Sequence, residues 1–191
     1  MIINLRGTSG SGKSTVVLEL MRLFAPVEII ERVGEGVRAR PLVYRIHGCA
    51  PPLYVFGSYE SVCGGCDVID DYAAVVPQLV DKYLSQGHVL FEGLLVSGTF
   101  GAIGVHLQRL AAGGHEVVVA FLDTPLGVCL DRVEFRRAQR GVQKAFNPVN
   151  TIKKFHQCIV VKRQFRGKGI RVVDIHYQES VQQIAQLVGY L

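Results

Sequence analysis

The segment Gly-Thr-Ser-Gly-Ser-Gly-Lys-Ser at residues 7–14 constrains the fold and the chemistry of this chain more than any other. It fits the P-loop pattern G-x-x-x-x-G-K-[ST], in which glycines turn backbone N–H groups toward phosphates and the lysine reaches the β- and γ-phosphates. Apolar residues 1–5 predict a strand before the loop, and residues 14–24 predict a helix after it. Phosphates would then meet a helix N-terminus. The segment predicts a nucleoside triphosphate site.

The expected ligand is ATP with Mg²⁺. Lys13 would hold the β- and γ-phosphates, and the Ser14 hydroxyl would hold the metal. The predicted nucleotide contacts are Gly7, Thr8, Ser9, Gly10, Ser11, Gly12, Lys13, Ser14 and Thr15.

Apolar runs alternate with helical patterns along the chain, which predicts a single α/β domain spanning residues 1–191. The expected architecture is a P-loop kinase-type, doubly wound parallel sheet of about five strands flanked by helices. Strands are predicted at about 1–6, 27–33, 88–92, 116–123 and 171–177. Helices are predicted at about 13–24, 71–86, 101–112, 125–140, 150–166 and 179–190, with Pro77 as an alternative start for the second.

The segment 34–70 departs from this alternation. It contains Pro41, Pro51 and Pro52, together with strand-like runs at 42–46 and 53–56. Long irregular excursions from a compact domain are usually functional. We therefore interpret residues 34–70 as an irregular insertion that recognises a substrate.

Charge is distributed unevenly. Residues 132–171 contain twelve Lys or Arg and one acid, which leaves nine basic and fifteen acidic residues elsewhere. The pattern predicts a basic lid and helical region at about 125–168, facing a polyanion or a triphosphate; a solvated basic face is the alternative. Arg132, Arg136 and Arg140 recur every four residues, so one helical face would present three guanidinium groups to a transferring phosphoryl group.

Two carboxylates end predicted strands. Glu92 follows the apolar run 88–91 and is the first candidate for a metal-water ligand or a general base. Glu31 ends the second predicted strand, where it could accept a proton from a hydroxyl substrate or pair with Arg32. A third acid, Asp123, is more typical of a helix cap. The predicted catalytic residues are Lys13, Glu92, Arg132, Arg136 and Arg140, with Ser14 and Glu92 at the metal.

The run Cys-Gly-Gly-Cys-Asp at 63–67 is the other unusual feature. With His47 and Cys49 it offers a possible zinc ligand set, although the upstream spacing is atypical. We favour a Gly-Gly turn that lets backbone approach an acceptor. The predicted acceptor-binding residues are Glu31, Tyr59, Gly64, Gly65, Cys66 and Asp67.

No apolar run is long enough to span a membrane, and the first residues lack the pattern of a signal peptide. These features predict a cytoplasmic protein whose five cysteines are reduced thiols. The sequence leaves its oligomeric state undefined.

Taken together, residues 7–15, 91–93, 121–125 and the arginine helix resemble those of P-loop nucleotide kinases. More narrowly, residues 57–59, 63–67, 90–94 and 146–148 resemble those of the bacteriophage 5-hydroxymethyluracil DNA kinases. This resemblance implies ATP-dependent phosphorylation of the 5-hydroxymethyl group of a modified uracil in DNA, as a step in thymidine hypermodification in the host cytoplasm. Because a base in a duplex must leave the stack to react, segment 34–70 would form a wall of its pocket.

Two alternatives remain open. One is a nucleoside or nucleotide monophosphate kinase with a free small-molecule acceptor, although Glu92-Gly93 stands where thymidylate kinases have an Asp-Arg pair. The other is a nucleic-acid-binding ATPase that is switched by its nucleotide.

Overall fold

The structure of the protein is a computed structural model that describes residues 1–36, 39–61 and 64–191. Seven strands within these ranges form one sheet in the order β2-β3-β4-β5-β1-β6-β7. The strands are β1 (Ile2–Arg6), β2 (Val27–Val33), β3 (Arg40–Ile46), β4 (Leu53–Phe56), β5 (His88–Glu92), β6 (Val117–Leu122) and β7 (Arg171–Ile175).

The sheet is mostly parallel. Strands β4, β5, β1, β6 and β7 run in one direction, and β3 pairs antiparallel with both β2 and β4. Every residue of β1 and β6 is buried. The continuous apolar run of β6 is typical of parallel strands that are covered on both faces, whereas β1 also buries Asn4 and Arg6. All five predicted strands are confirmed.

The predicted strand number is wrong, because segment 34–70 contributes two strands rather than an irregular insertion alone. Strand β4 has only four residues, yet it pairs in parallel with β5, from Leu53 opposite His88 to Phe56 opposite Phe91. The strand-like runs noted at 42–46 and 53–56 correspond to β3 and β4, but the sequence did not indicate that they join the sheet. Among the described residues of the segment, the irregular parts are the connections that precede β3 and that lie on either side of β4.

Helices cover both faces of the sheet. They are α1 (Lys13–Leu23), α2 (Tyr72–Tyr83), α3 (Leu94–Ser97), α4 (Gly101–Ala112), α5 (Leu126–Gln139), α6 (Val149–Gly167) and α7 (Ser180–Leu187). The six predicted helices are confirmed, with shifts of at most three residues at their ends. Helix α3 was missed because four residues are too short to show a period. Pro77 lies inside α2 and does not start it, so the alternative start is wrong.

Two apolar cores lie on opposite faces of the sheet. One includes Leu79 of α2, Leu107 of α4 and Phe165 of α6, and the other includes Leu20 of α1 and Ile184 of α7. Because the central strands are parallel, the loops that follow them meet at one edge of the sheet, where ligands of such folds bind. None of the described helices has the length and apolar character needed to cross a membrane.

Candidate active site

A cleft of about 1060 Å³ opens at the carboxyl edge of the parallel strands. Residues from the 7–14 loop, from the turn after β5, from α5 and from the start of α7 line it. Of the predicted nucleotide contacts, the lining includes Ser9, Gly10, Ser11, Gly12, Lys13, Ser14 and Thr15. Gly7 and Thr8 instead line a separate cavity of about 140 Å³ behind the loop, where the Thr8 hydroxyl donates to the Thr151 carbonyl at 3.2 Å. The structure thus brings seven of the nine together around the cleft.

The loop has the conformation that its glycines permit. Gly10 and Gly12 have φ values of 80° and 100°, in the left-handed region that other residues rarely adopt. A Cβ at Gly10 would also overlap the Cys129 carbonyl of α5, so both the backbone conformation and the packing at this position require glycine. The buried Lys13 ammonium donates to the carbonyl oxygens of Gly7 (2.9 Å) and Thr8 (3.2 Å). These bonds hold a positive charge inside the loop.

Glu92 lies beside that charge at the end of β5. Its Oε1 accepts a hydrogen bond from the Ser14 hydroxyl at 2.7 Å, and the side chain is completely buried. Burial raises the pKa of Glu92 to about 7, although Lys13 and the Ser14 hydrogen bond act in the opposite direction. Near neutral pH this carboxyl can therefore either hold or release a proton.

Ser14 and Glu92, the two predicted metal ligands, are brought together here. Mg²⁺ prefers hard oxygen ligands and commonly takes one or two from the protein. Glu92 Oε2 is buried and has no hydrogen-bond partner among the residues that the structure describes. An unpartnered buried carboxylate oxygen next to a hydroxyl fits a cation site. The donor set therefore fits Mg²⁺.

The turn that follows β4 packs directly against Glu92. Gly65 has φ 79°, and a Cβ there would lie 2.7 Å from Glu92 Cδ and overlap Oε1. Gly57, with φ 101°, lies under the same turn, where a Cβ would be 2.7 Å from the Cys66 nitrogen. A β-bridge between Ser58 and Gly65 closes the turn. The glycines are needed so that this backbone can cover the buried carboxylate.

Asp67 holds the other side of the turn. Its carboxylate accepts hydrogen bonds from the backbone N–H groups of Leu94 (2.6 Å) and Leu95 (2.9 Å) at the start of α3. A Cβ at Gly93 would lie 2.9 Å from Asp67 Oδ1, so the glycine after Glu92 permits this close approach. Asp67 also lines the cleft.

The predicted acceptor-binding residues are only partly brought together. Gly64 and Asp67 line the cleft, whereas Gly65 packs behind the Glu92 carboxyl. The side chains of Tyr59 and Cys66 are buried, and their OH and SH groups point to the Phe56 carbonyl. These two residues support the turn from within and offer no surface to a substrate.

Glu31 lies elsewhere. Its carboxylate pairs with Lys82 at 2.7 Å and accepts a hydrogen bond from the Tyr83 hydroxyl, and it is not part of the cleft lining in the described chain. The structure therefore places it neither at an acceptor site nor in an ion pair with Arg32. Glu31 lies on β2, which is an edge strand of the sheet. Strands β3 and β4 separate β2 from β5, and β1 lies beyond β5.

The zinc alternative gains no support. Cys63 lies outside the described residues, His47 pairs with Glu28 at 2.9 Å, and Cys49 and Cys66 are buried thiols. Within the described ranges, no group of three or more His, Cys, Asp or Glu side chains has the arrangement of a metal site.

The arginine helix is α5, and it faces the cleft with two of its three predicted residues. Arg132 and Arg136 line the cleft, and Arg132 Nη1 lies 3.4 Å from the Gly10 carbonyl oxygen. Arg140 is not among the described lining residues. Helix α5 ends at Gln139, so Arg140 does not continue the helical face that carries Arg132 and Arg136.

Sequence reasoning missed the connection between β7 and α7. Tyr177, Gln178, Val181 and Gln182 all line the cleft. The Arg132 guanidinium lies 5.6 Å from the centre of the Tyr177 ring, and Asp123 accepts a hydrogen bond from the Tyr177 N–H at 2.9 Å. Asp123 thus fixes this loop and does not cap α5. The connection follows β7, a parallel strand of the sheet, and ligands of such folds bind beyond the carboxyl ends of these strands. This position was the signal that could have identified the connection.

Ser97 connects the phosphate loop with the turn after β5. Its hydroxyl accepts from the Gly7 N–H at 3.2 Å and donates to the Gly93 carbonyl at 2.6 Å. The residue is completely buried. The Ser97 side chain therefore joins the phosphate loop to the turn after β5 and fixes their relative position beside Glu92.

The chain is similar over its whole length to curated bacteriophage proteins. It is 37% identical to the "5-hmdU DNA kinase" of Pseudomonas phage PaMx11, over 98% of this chain and 96% of that protein. It is 29% identical to the protein of the same name from Pseudomonas phage M6, over 99% and 98%, and 26% identical to that of Delftia phage PhiW-14, over 98% and 72%. No family model matches the chain.

Proposed function

The chain belongs to the 5-hmdU DNA kinases of bacteriophages, and we propose that it transfers the γ-phosphoryl group of ATP to the 5-hydroxymethyl group of 5-hydroxymethyluracil in phage DNA. It is therefore a phosphotransferase that requires a nucleotide donor. Its site of action in this proposal is the host cytoplasm. The modified base would then proceed through thymidine hypermodification.

The order of the elements around the cleft supports this proposal. The order strand, glycine-rich loop, helix is present at β1, residues 7–12 and α1, and β5 and β6 flank β1 on either side. An arginine helix borders the same cleft. These are the parts that a phosphoryl transfer enzyme needs: a phosphate cradle, a carboxylate and mobile cations.

The observation that carries the proposal is the Ser14–Glu92 pair beside Lys13. A phosphate-loop hydroxyl lies 2.7 Å from a buried carboxylate whose other oxygen has no partner in the described structure. In a structural role, that second oxygen would be expected to find a hydrogen bond. Its orientation next to the phosphate loop instead suits a metal ion or the proton of an acceptor hydroxyl.

The donor would be held by the loop. Backbone N–H groups of residues 9–14 would surround the phosphates, and Lys13 would exchange its carbonyl contacts for oxygens of the β- and γ-phosphates. Ser14 would hold Mg²⁺ directly and Glu92 would hold a water ligand of the ion, which would neutralise charge on the phosphates when bound. The adenine would lie toward Tyr177 and Gln178, which also line the cleft.

The acceptor would enter beside Gly64, Asp67 and Leu94, which border Glu92 in the cleft. Its hydroxymethyl oxygen would bond to the γ-phosphorus while the bond from that phosphorus to the β–γ bridging oxygen breaks and ADP leaves. The proton of the hydroxyl would pass to the Glu92 carboxylate. Arg132 and Arg136 would neutralise charge on the transferring group.

The test uses labelled ATP with DNA that contains 5-hydroxymethyluracil, for the wild type and for Glu92→Gln. We expect label in the wild-type DNA product and a decrease in kcat of about 10²-fold or more in the variant, because amide cannot accept the proton. Nucleotide binding by the variant, measured by calorimetry, should persist. Transfer to free hydroxymethyl nucleotide but not to DNA would contradict the proposal, and so would phosphate release that needs no acceptor.

A further inference from the structure

Phe135 on α5 is the exposed aromatic side chain of this protein. All nine phenylalanines and all seven tyrosines are among the described residues, and the other fifteen are buried or half-buried. Phe135 is 64% exposed. Single exposed apolar residues are common on protein surfaces, so its exposure alone indicates nothing.

Its place on α5 makes it informative. Residues three and four apart lie on neighbouring positions of a helix surface, so Phe135 adjoins Arg132, and Arg136 follows it directly. Both arginines line the cleft. Phe135 therefore lies at the rim, one position around the helix from the side chains that face the triphosphate site, with Asp131 one turn before it.

Carboxylates neutralise some of the cations of the basic region and leave others without a partner. Farther along, Lys162 and Arg166 both pair with Asp174, and Arg171 pairs with Glu116 at 3.0 Å. By contrast, Arg136, Lys144 and Lys153 have no carboxylate within 4.0 Å in the portion of the chain that the structure describes. Cations without a carboxylate partner therefore occur at the end of α5 and the start of α6, and among the described residues Arg163 and Lys168 near the end of α6 also lack one; of these cations, Arg136 lines the cleft.

We propose that this rim binds duplex DNA and that Phe135 inserts into the base stack, where it holds the target 5-hydroxymethyluracil out of the helix and in the cleft. The proposal rests on the function proposed above. A base cannot reach a buried carboxylate such as Glu92 while it is stacked. Proteins that unstack a duplex insert apolar side chains between base steps while cations hold the phosphates. An exposed phenyl ring beside unpaired cations at the mouth of a kinase cleft has both properties.

A second apolar side chain at the cleft provides the competing assignment. Leu95 on α3 is 43% exposed and lies on the acceptor side, two residues after Gly93. Its backbone N–H is bonded to Asp67, so α3 is fixed to the turn that covers Glu92. A leucine there could fill the gap left by an extruded base in place of Phe135, and the experiment must separate the two.

The experiment compares the same oligonucleotide, with one 5-hydroxymethyluracil, as a single strand and as a duplex. It measures kcat/KM for label transfer by the wild type, Phe135→Ala, Phe135→Trp, Leu95→Ala and Val105→Ala. Val105 is 60% exposed on α4, outside the cleft lining, and controls for loss of exposed apolar surface. We expect Phe135→Ala to lower the duplex to single-strand ratio about tenfold or more, because only the duplex must be unstacked. Phe135→Trp should restore the ratio.

A fluorescence measurement gives a readout that needs no catalysis. With 2-aminopurine placed next to the 5-hydroxymethyluracil, wild-type binding should increase the emission of the duplex, and Phe135→Ala should bind with little increase. An unchanged kinetic ratio for Phe135→Ala overturns the proposal, as does a lowered ratio for Leu95→Ala alone or a raised KM for ATP as the sole effect. If the wild type labels neither DNA, the proposed function fails, while the fluorescence still decides whether Phe135 unstacks the duplex.

Discussion

The Cα of Gly65 lies so close to the carboxyl group of Glu92 that a Cβ methyl group attached to it would overlap Oε1. The turn between β4 and α2 therefore acts as a cover for the buried carboxylate, and the pKa of Glu92 is raised by that burial. The Gly-Gly sequence is explained by this packing more directly than by substrate contact.

Gly65→Ala should displace Glu92 and strain a backbone at φ 79°. We expect a loss of about 1–3 kcal/mol in the free energy of unfolding and a decrease in kcat of about tenfold or more, with the KM for ATP little changed. Denaturant titration measures the free energy of unfolding, and steady-state kinetic assays measure kcat and the KM for ATP. Gly127→Ala is the matched control, because a Cβ at Gly127 in α5 meets nothing within 4 Å and alanine suits a helix. Equal kinetic effects of the two substitutions would contradict this account of Gly65.

The raised pKa of Glu92 predicts how stability depends on pH. Folding raises this pKa from the ordinary 4.5 to about 7, so between these values the folded chain holds a proton that the unfolded chain has released. Stability therefore falls as the pH rises through this range, by at most about 3 kcal/mol from this group. Glu92→Gln cannot release a proton and should escape the loss. Denaturant titrations without metal or nucleotide at pH 5 to 8 should give curves that diverge as the pH rises, and parallel curves would disprove the assignment.

Much of this arrangement could be predicted from the residues alone. The phosphate loop is a local pattern, and Glu92 follows a fully apolar strand, so both could be placed at the carboxyl edge. The partners of Glu31 could not, because Lys82 and Tyr83 lie far along the chain and only the pairing of β2 with the sheet brings them near. Likewise, the contact between Gly65 and Glu92 depends on β4 lying beside β5, and the strand-like run at 53–56 does not indicate which strand it pairs with.

Substitution of an arginine that lines the cleft, Arg132 or Arg136, should lower kcat more than substitution of Arg140. Arg136→Ala removes a charge that lines the cleft and should lower kcat by at least about tenfold, since guanidinium groups stabilise charge in phosphoryl transfer. Arg140→Ala, at the residue that follows α5, should have a clearly smaller effect on the same single-strand substrate. Single-turnover rates at saturating ATP make the comparison. Larger losses in Arg140→Ala than in Arg136→Ala would show that α5 extends over the donor when substrates bind.

The division of basic residues into paired and unpaired sets predicts how DNA binding responds to salt. Lys153→Ala should weaken duplex binding and reduce the slope of log K against log salt by about 0.9, the value for one phosphate contact. Arg171→Ala should change the slope less, because Glu116 already neutralises this arginine at 3.0 Å. Fluorescence anisotropy over a salt series measures both slopes. Identical slope changes would mean that DNA also covers the β7 end of the sheet.

Strand β4 pairs on one side with β3 and on the other with β5, the strand that ends in Glu92. The segment that we propose for the acceptor side is thus also the lateral support of β5. Deleting residues 34–70 would remove two strands and leave β5 as an open edge that is prone to aggregation. Enzymes redesigned for other modified bases should therefore keep β3 and β4 and vary only the turn that begins at Gly57 and ends at Asp67.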